Sequence, residues 1–391
     1  MNVLFCVPLG IGHVNPTLGV AAELVRRGHR VTYAAPALFA DRIAETGARL
    51  VEYESTYEKN FTKAPNFDRK DIGRAMAGNL AETRSVFAQV AAAIGDDLPD
   101  LVVQDGPVAW WGRLLAARWR RPVVVSWPNL VSNEHWSLNK YFEINLLSPR
   151  VLLTGARLGA FTARHGVKGP HVLDGTGANA HLVFLPRAFQ FAGDTFAADR
   201  HFVGPALGDR TFQGDWAPPT SGRRVVLVSF GTAYNERPEF YRTCLRAFED
   251  TDLHVVLVTG EQVDHAALGE VPEHVELHRS VPQLSVLRHA KAFVTHAGMG
   301  STMEALNFEV PLVAIPQMAE QRANADRIAE LGLGKHLPPA DVTASNLREA
   351  VLSIVDNAEI ATNLKGMRAE IRAAGGAPAA ADVLEGLLAG K

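Results

Sequence analysis

The feature that most constrains the fold is the alternation of short, continuously apolar runs with helical stretches. In the first half, β-rich runs are predicted at residues 3–9, 30–35, 49–53, 101–104, 122–126 and 181–185. Runs that are apolar at nearly every position are typical of strands in a parallel sheet whose two faces are both covered by helices. The pattern therefore predicts an α/β fold built on a parallel sheet.

The second half repeats this plan, with strands predicted at residues 224–230, 254–259, 274–279, 292–295 and 311–315. Two such halves indicate two Rossmann-like domains, and a length of 391 residues agrees with two domains at roughly 150 residues each. We place the N-terminal domain at residues 1–205, a Pro- and Gly-rich linker at 206–222, and the C-terminal domain at 223–373. A C-terminal helix at 374–391 follows the break at Gly375 and Gly376, and we expect it to pack back on the N-terminal domain or across both domains.

Charge and composition exclude several classes of protein. The chain has 39 basic and 42 acidic residues, a net charge of −3, and no long basic run, so a nucleic-acid partner is not expected. Cys6 and Cys244 are predicted to be buried thiols in a reducing compartment. The chain has no run of eighteen apolar residues and no basic segment before its first apolar run, so we expect a cytoplasmic protein without stable membrane association, as a monomer or homodimer.

The end of the first predicted strand carries a candidate base, His13. Ligands of an open parallel sheet collect at the carboxyl ends of its strands, and His13 follows glycines there and precedes a helix expected to begin near Asn15 and Pro16. The positive field of a helix N-terminus disfavours the imidazolium and so favours a neutral base. Asp105 closes the 101–104 strand at the same edge and can accept the second imidazole N–H. The alternatives are a structural histidine and an aspartate that caps the turn at Gly106.

The glycines before His13 do not form a dinucleotide fingerprint. Asn15 stands where the third glycine is expected, and Tyr33 closes the second strand where an acidic ribose ligand is expected, so nicotinamide binding is not predicted. The acidic pair at residues 250 and 252 lies in a helix-to-strand turn at the amino end of the predicted sheet, away from the edge where ligands bind. The histidine pattern at residues 274–278 lacks a companion ligand nearby. The sequence therefore predicts no metal site and no cofactor.

The densest group of polar residues and glycines lies at residues 295–304, between a predicted strand and a predicted helix. Its glycines, Gly298 and Gly300, precede a helix N-terminus, where backbone N–H groups and the helix dipole favour a phosphate group. His296 and Ser301 can add donors to a diphosphate, and Glu304 can accept from ribose hydroxyls. The alternative for Ser301 and Glu304 is a capping box that needs no ligand.

A carboxylate and an amide, Glu320 and Gln321, follow the predicted strand at residues 311–315. Together they can bind two or three sugar hydroxyls, because each side chain offers two hydrogen-bonding atoms. Glu320 also suits the first turn of a helix, where an acidic side chain is favourable. Both interpretations can hold at once.

Together these motifs resemble a known family, the bacterial macrolide glycosyltransferases of glycosyltransferase family 1. The resemblance covers nearly the whole chain, and it rests on residues 6–15 with Gly-x-Gly-His-Val-Asn-Pro, on Ser229-Phe230-Gly231-Thr232, on Val281-Pro282-Gln283, and on residues 296–304 and 316–321. It implies a GT-B fold, in which two Rossmann-like domains face each other across a cleft. The first domain mainly binds the acceptor and the second mainly binds the nucleotide sugar.

The resemblance also implies roles for individual residues. His13 resembles the family's general base and Asp105 its partner. Apart from the resemblance, Trp111, Trp127 and Trp136 are available to line an apolar acceptor cleft together with Ile11, and ordinary packing is the alternative. Residues of the nucleotide-sugar site would be Gly231, Thr232, Ser280, Val281, Gln283, His296, Gly298, Met299, Gly300, Ser301, Glu304, Glu320 and Gln321. Ser280 departs from the family, which commonly has a tryptophan there.

The reaction that this resemblance implies is an inverting transfer of a hexose, with UDP-glucose as the expected donor and no metal ion. The pair Glu320 and Gln321 favours a fully hydroxylated hexose over a deoxysugar. Expected acceptors are small natural products such as macrolides, other antibiotics, polyphenols or nucleosides. The alternatives are a nucleotide-sugar epimerase on a GT-B-like scaffold, which needs no acceptor, and a nucleotide-sugar sensor without catalysis.

Overall fold

A computed structural model describes residues 1–57, 72–106, 108–142, 148–168, 171–208, 214–231 and 235–389. The chain divides into two compact units. The first unit is Met1–Gly208 together with Ala374–Lys391, and the second is Asp209–Ala373. Each unit is built around one parallel sheet.

The first unit contains a seven-stranded sheet in the order β3-β2-β1-β4-β5-β6-β7, with every neighbouring pair parallel. Its strands are β1 (Asn2–Cys6), β2 (Arg30–Ala35), β3 (Arg49–Glu52), β4 (Leu101–Asp105), β5 (Val123–Trp127), β6 (Ala180–Val183) and β7 (Arg200–Phe202). Its helices are α1 (Ile11–Arg26), α2 (Ala40–Glu45), α3 (Ile72–Ile94), α4 (Trp110–Trp119), α5 (Pro149–Arg164), α6 (His171–Asp174) and α13 (Gly376–Ala389).

The second unit contains a six-stranded parallel sheet in the order β10-β9-β8-β11-β12-β13. Its strands are β8 (Arg224–Ser229), β9 (Leu253–Val258), β10 (Val275–His278), β11 (Ala290–Thr295), β12 (Leu312–Ala314) and β13 (Gly334–His336). Its helices are α7 (Pro238–Phe248), α8 (Gln283–Leu287), α9 (Met299–Asn307), α10 (Ala319–Glu330), α11 (Ala344–Ile354) and α12 (Ala358–Ala373). Throughout the described part of the chain, the helices are too short or too polar to cross a membrane.

Alternating burial on the strands explains why the first sheet carries helices on both faces. Val3 and Phe5 lie in one buried apolar cluster, whereas Leu4 and Cys6 lie in another. Because successive side chains of a strand point to opposite faces, these two clusters cover the two sides of the sheet. The predicted α/β fold with parallel sheets is confirmed.

Two strands, β7 and β13, were not predicted. Each has three residues and lies at the edge of its sheet, and their sequences, Arg-His-Phe and Gly-Lys-His, contain no apolar run. An edge strand has only one neighbour, and neither strand is buried along its length, so an apolar run is not needed there. The pattern that identifies central strands therefore does not identify these.

The first helix begins earlier than predicted. It starts at Ile11, with Gly10 as N-cap and Pro16 inside the helix, rather than near residues 15 and 16. A proline lacks an N–H and its ring crowds the carbonyl four residues earlier, here that of Gly12, so the hydrogen bonds to Gly10 in the first turn remain possible. In that turn, the N–H groups of His13 and Val14 both donate to the carbonyl of Gly10, at 3.0 and 3.1 Å. His13 consequently lies in the first turn of α1 and not in a loop before it.

The C-terminal helix α13 packs on the first helix, inside the first unit. Ala380, Ala381 and Leu384 are fully buried in the same apolar cluster as the core of the first sheet. Arg27, just after α1, donates to the carboxylates of Asp382 and Glu385 on α13, at 2.6 and 2.7 Å. These contacts hold α13 against the first helix of the chain.

Candidate active site

The first unit contains a histidine–carboxylate pair at the carboxyl edge of its sheet. Nδ1 of His13, in the first turn of α1, lies 2.7 Å from Oδ1 of Asp105, the last residue of β4. The two come together because β1 and β4 are neighbouring strands. When Nδ1–H donates to the carboxylate, the neutral imidazole has its acceptor lone pair on Nε2. This tautomer is the one that a general base needs.

The two members of this pair differ in their exposure to solvent. Asp105 is 1% exposed, and its burial raises the pKa of the carboxyl, an effect that the neighbouring His13 opposes. His13 is partly accessible, with 29% of its side chain exposed. A Cβ on Gly10 would lie 3.0 Å from Cδ2 of His13, so the absence of a side chain there leaves room for the ring. A buried carboxylate thus orients a base that solvent and ligands can reach.

Trp127, a predicted acceptor residue, ends β5 beside the strand that carries Asp105. Its indole packs near Gly106, where a Cβ would lie 3.8 Å from the ring. The indole Nε1–H donates to Nδ1 of the buried His181 at 3.0 Å, and the two rings stack. His181 therefore holds the side chain of Trp127 in one orientation, at the end of the strand that neighbours β4.

The other predicted acceptor residues differ in exposure. Trp111 is fully buried in the core, edge-on to Tyr53, and this burial favours the packing role over contact with a ligand. Trp136 is 8% exposed and stacks on Phe191 with ring centres 4.8 Å apart. Ile11 begins α1 and is half-buried against the core. Trp127, Trp136 and Ile11 stay predictions as acceptor residues.

The contact of His181 with Trp127 predicts a pH-dependent stability. Burial lowers the pKa of His181 to about 4, whereas an unfolded histidine has a pKa of about 6.5. Between these pH values the unfolded chain binds more protons than the folded one. The contribution of neutral His181 to the free energy of unfolding is therefore fully present above about pH 6.5 and is lost as the pH falls towards 4. The variant His181→Asn keeps an acceptor for the indole but has no imidazole to protonate. From pH 7 to pH 5, we expect the unfolding free energy of the wild type to fall by about 2 kcal/mol more than that of the variant.

Urea denaturation of the wild type and of His181→Asn at the two pH values measures this difference. His135, whose side chain is 53% exposed, provides the matched control His135→Asn. The control should retain the wild-type pH dependence. An equal decrease in His181→Asn and wild type would contradict the prediction.

In the second unit, the imidazole of His296 lies between two glycines: Gly298, in the same loop between β11 and α9, and Gly231, which follows β8. A Cβ on Gly231 would lie 2.7 Å from Cε1 of His296, and a Cβ on Gly298 would lie 2.4 Å from Nε2. Both distances are too short for a side chain at either glycine. Burial in this loop lowers the pKa of His296 to about 4, so the imidazole is neutral at neutral pH. A neutral imidazole can donate one hydrogen bond without bringing a charge.

The helix after this loop does not begin with a capping box. The N-cap of α9 is Gly298, without a side-chain cap, and Ser301 lies inside the helix. Nε2 of Gln283, on α8, instead donates to the carboxylate of Glu304 at 2.6 Å and to Oγ of Ser301 at 3.2 Å. Glu304 is 3% exposed. The capping interpretation of Ser301 and Glu304 was wrong, because the helix starts before Ser301.

The N-terminus of α9 supplies backbone donors beside His296. The first N–H groups of an α-helix have no partner inside the helix, and those of Met299 and Gly300 belong to this set. Val281 is half-buried between β10 and α8, and Ser280 is exposed. Thr232 lies outside the described residues. His296 and the first turn of α9 together form an arrangement typical of phosphate binding.

Glu320 and Gln321 lie in the first turn of α10. The Gln321 side-chain oxygen accepts the backbone N–H groups of Gln317 and Met318, at 2.8 and 3.2 Å. Gln321 therefore caps its own helix, and Glu320 is half-buried beside it. The helix-start interpretation holds for both residues, and sugar binding by either one stays a prediction.

The histidine-rich pattern of the second unit forms a hydrogen-bonded cluster. The carboxylate of Glu276 binds the imidazoles of His254 and His278, at 2.7 and 2.8 Å, and accepts from the indole of Trp216 at 3.1 Å. His274 points elsewhere, with Nε2 2.8 Å from the carbonyl of Phe248. Within the described ranges, no group of three or more His, Cys, Asp or Glu residues is arranged to hold a metal ion.

Sequence reasoning did not find two asparagines that hold the backbone on either side of the His296 imidazole. Nδ2 of Asn235 donates to the carbonyl of Gly231 at 2.7 Å, and Nδ2 of Asn324 donates to the carbonyl of Ala297 at 2.9 Å. Asn324 is 1% exposed. Its signal in the sequence is a polar residue at a position where the period of the amphipathic helix α10 predicts an apolar one.

Comparison with known proteins places this architecture among glycosyltransferases. The glycosyltransferase of kitacinnamycin, a solved structure, matches with a TM-score of 0.87 and 35% identity, over 99% of this chain and 98% of that chain. The family model described as the C-terminal domain of erythromycin biosynthesis protein CIII-like proteins matches residues 242–389. The fold is therefore GT-B, the fold that the sequence motifs implied.

Two curated relatives match over almost the whole chain. Demethyllactenocin mycarosyltransferase of Streptomyces fradiae is 41% identical over 99% of this chain and 86% of its own length. Oleandomycin glycosyltransferase of Streptomyces antibioticus is 40% identical over 96% of this chain and 88% of its own length. The chain belongs to the bacterial macrolide glycosyltransferases of glycosyltransferase family 1.

Proposed function

We propose that this protein transfers a hexose from UDP-glucose to a hydroxyl group of a small natural product, with inversion at the anomeric carbon. The acceptors that we propose first are macrolides, because the two relatives compared above are named for lactenocin and oleandomycin. We infer a fully hydroxylated hexose from Glu320 and Gln321: the Glu320 carboxylate and the Gln321 Nε2 group would bind sugar hydroxyls, while the Gln321 oxygen caps α10.

In this proposal, His13 removes the proton of the acceptor hydroxyl as the oxygen attacks the anomeric carbon. The proton goes to Nε2, and the bond between the anomeric carbon and the diphosphate oxygen breaks in the same step. The Asp105 carboxylate stabilises the imidazolium that forms and keeps the ring in its orientation. No covalent intermediate on the protein is required, since the incoming oxygen displaces the leaving group directly.

The second unit provides the proposed donor site. Glu304, held by Gln283, would accept from the ribose hydroxyls. The backbone donors at the start of α9, together with His296, would bind the diphosphate and stabilise the negative charge of departing UDP. Because these donors come from the protein itself, we propose that the reaction needs no divalent metal ion.

The observation that carries the proposal is the 2.7 Å contact between Nδ1 of His13 and the buried Asp105 carboxylate at the carboxyl edge of the sheet. A nucleotide-sugar sensor would bind its nucleotide on the second unit and would have no use for an oriented base on the first unit. An epimerase would have no use for an acceptor. Transfer to an acceptor is the activity that employs both this pair and the His296 loop.

The test is incubation of the purified protein with UDP-glucose or dTDP-glucose, each with and without a panel of macrolides, polyphenols and nucleosides. We expect a product heavier by one hexose less water, seen by mass spectrometry, with UDP-glucose preferred and a β-linkage formed from the α-linked donor. Product formation only with dTDP-glucose would overturn the donor assignment. Epimerised sugar in the absence of acceptor would favour the epimerase. Binding of UDP without turnover of any acceptor would favour the nucleotide-sugar sensor.

A further inference from the structure

Asn324 is a buried polar side chain in the middle of α10. It lies one turn after Gln321, and the buried positions Gln321, Asn324, Ala325 and Ile328 form one face of this helix. Asn324 is 1% exposed, although an amide at such a position costs free energy unless it is hydrogen-bonded. Its contacts therefore indicate why an asparagine stands on this face.

The contact of Asn324 that reaches the candidate donor site is the one with Ala297. Nδ2 donates to the carbonyl oxygen of Ala297 at 2.9 Å, across 27 positions of sequence. Ala297 itself is fully buried and has a φ of +60°, in the left-handed region that residues with a Cβ rarely adopt. The hydrogen bond therefore fixes a peptide group at a point where the backbone is conformationally unfavourable.

The carbonyl of Ala297 belongs to the same peptide group as the N–H of Gly298. In a trans peptide these two bonds point in opposite directions, and no cis peptide bond occurs among the described residues. With the carbonyl held towards α10, the Gly298 N–H points away from α10. Gly298 is the N-cap of α9, so this N–H lies at the end of the helix where the unpaired backbone donors are found.

The same peptide group borders the imidazole of His296. The Cβ position of Gly298 is 2.4 Å from Nε2 of His296, so the ring has little space on that side. Rotation of the Ala297–Gly298 peptide would move Gly298 relative to the ring. One hydrogen bond from Asn324 thereby constrains both a backbone donor and the position of the His296 ring.

We propose that Asn324 is a positioning residue of the nucleotide-sugar site, which holds the Ala297–Gly298 peptide so that the Gly298 N–H and the His296 imidazole face the diphosphate. This inference rests on the proposed function, because it names the group that the loop binds. Asn324 does not touch the ligand in this arrangement. It acts through the backbone that it holds.

The test compares binding of UDP and of uridine, since only UDP carries the diphosphate. The variants are Asn324→Ala and Asn324→Leu, and Leu has the same number and branching of side-chain heavy atoms as Asn without its donor. We expect both variants to bind UDP about tenfold more weakly, because the Ala297 carbonyl loses its partner and the peptide is no longer fixed. Uridine binding should stay unchanged, because Gln283 and Glu304 do not depend on that carbonyl.

Asn363 provides a matched control in the same unit. Its Nδ2 donates at 3.1 Å to the carbonyl of Gly332, which also has a φ of +60°, but this contact lies at the end of α10 away from the His296 loop. Asn363→Ala should bind both UDP and uridine as the wild type does. Uridine binding by the Asn324 variants also shows that the unit is folded.

The outcomes separate this inference from the function on which it rests. Wild-type affinity for UDP in both Asn324 variants would overturn the role of Asn324 and leave the proposed function standing. An equal loss of UDP and uridine binding would also overturn that role, because it indicates general disruption of the unit. A wild-type protein that binds no UDP overturns the proposed donor and this inference with it. Selective loss of UDP binding in the Asn324 variants, with none in Asn363→Ala, supports both.

Discussion

His13→Ala is expected to lower kcat of sugar transfer by about 10²–10⁴-fold, the typical contribution of a positioned general base. The acceptor hydroxyl then has no group to take its proton as it attacks. The affinity for UDP should stay at the wild-type value, because the residues proposed to bind the nucleotide lie on the second unit. Steady-state kinetics with saturating acceptor, combined with calorimetric titration of UDP, measures both quantities.

His135→Ala is the matched control for this variant. It removes a histidine from the same unit whose side chain is 53% exposed and pairs with the adjacent Glu134. Its kcat should equal that of the wild type. If His13→Ala retained wild-type turnover, the assignment of the base would have to be abandoned, whereas loss of UDP binding in His13→Ala would indicate a broader structural defect.

Asp105→Asn has the second-largest expected effect, a decrease in kcat of about 10- to 100-fold. This range corresponds to the loss of a charge-assisted hydrogen bond. The asparagine amide can donate to Nδ1 of His13, which would place the ring proton on Nε2, the nitrogen that must act as the base. The imidazolium also loses the carboxylate that stabilises it. The change should appear in kcat at saturating substrates, with UDP affinity unaltered.

Asp97→Asn serves as the control, because Asp97 is a carboxylate of the same unit that pairs with exposed arginines. It contacts Arg30 at 2.7 Å and Arg49 at 3.4 Å, and its side chain is 42% exposed. Exposed ion pairs contribute little to stability, so this variant should behave as the wild type. An Asp105→Asn enzyme with unchanged kcat would show that the 2.7 Å contact has no role in turnover.

The central strands and the residues that follow them were accessible to sequence reasoning, because burial on both faces demands apolar side chains at every position. That argument located the strand ends that carry His13 and Asp105, and the glycine-rich start of α9. It failed for β7 and β13, since edge strands of three residues need no apolar run. It also failed for the start of α1, because Pro16 was given more influence on the first turn than a proline has.

Packing roles were not accessible in the same way. Trp111 and Trp127 have the same residue type and lie close together in sequence, yet Trp111 is fully buried in the core and Trp127 ends a strand beside Asp105. The functional pattern at Ser301 and Glu304 coincided with a capping motif, and only the position of the N-cap at Gly298 separates the two. Side-chain surroundings are produced by contacts between distant segments, which a local pattern does not contain.

The sequence by itself determined the fold class, two parallel sheets covered by helices, and the chemical types of the residues at the strand ends, since both follow from local hydrophobic pattern and turn chemistry. Only the tertiary structure decided which groups meet. His13 and Asp105 are 92 positions apart and approach to 2.7 Å because β1 and β4 are neighbours in the sheet. Asn324 reaches Ala297 because α10 packs beside the start of α9. Hydrogen bonds of this kind depend on distances of a few tenths of an ångström, and such distances arise only when the whole core has packed.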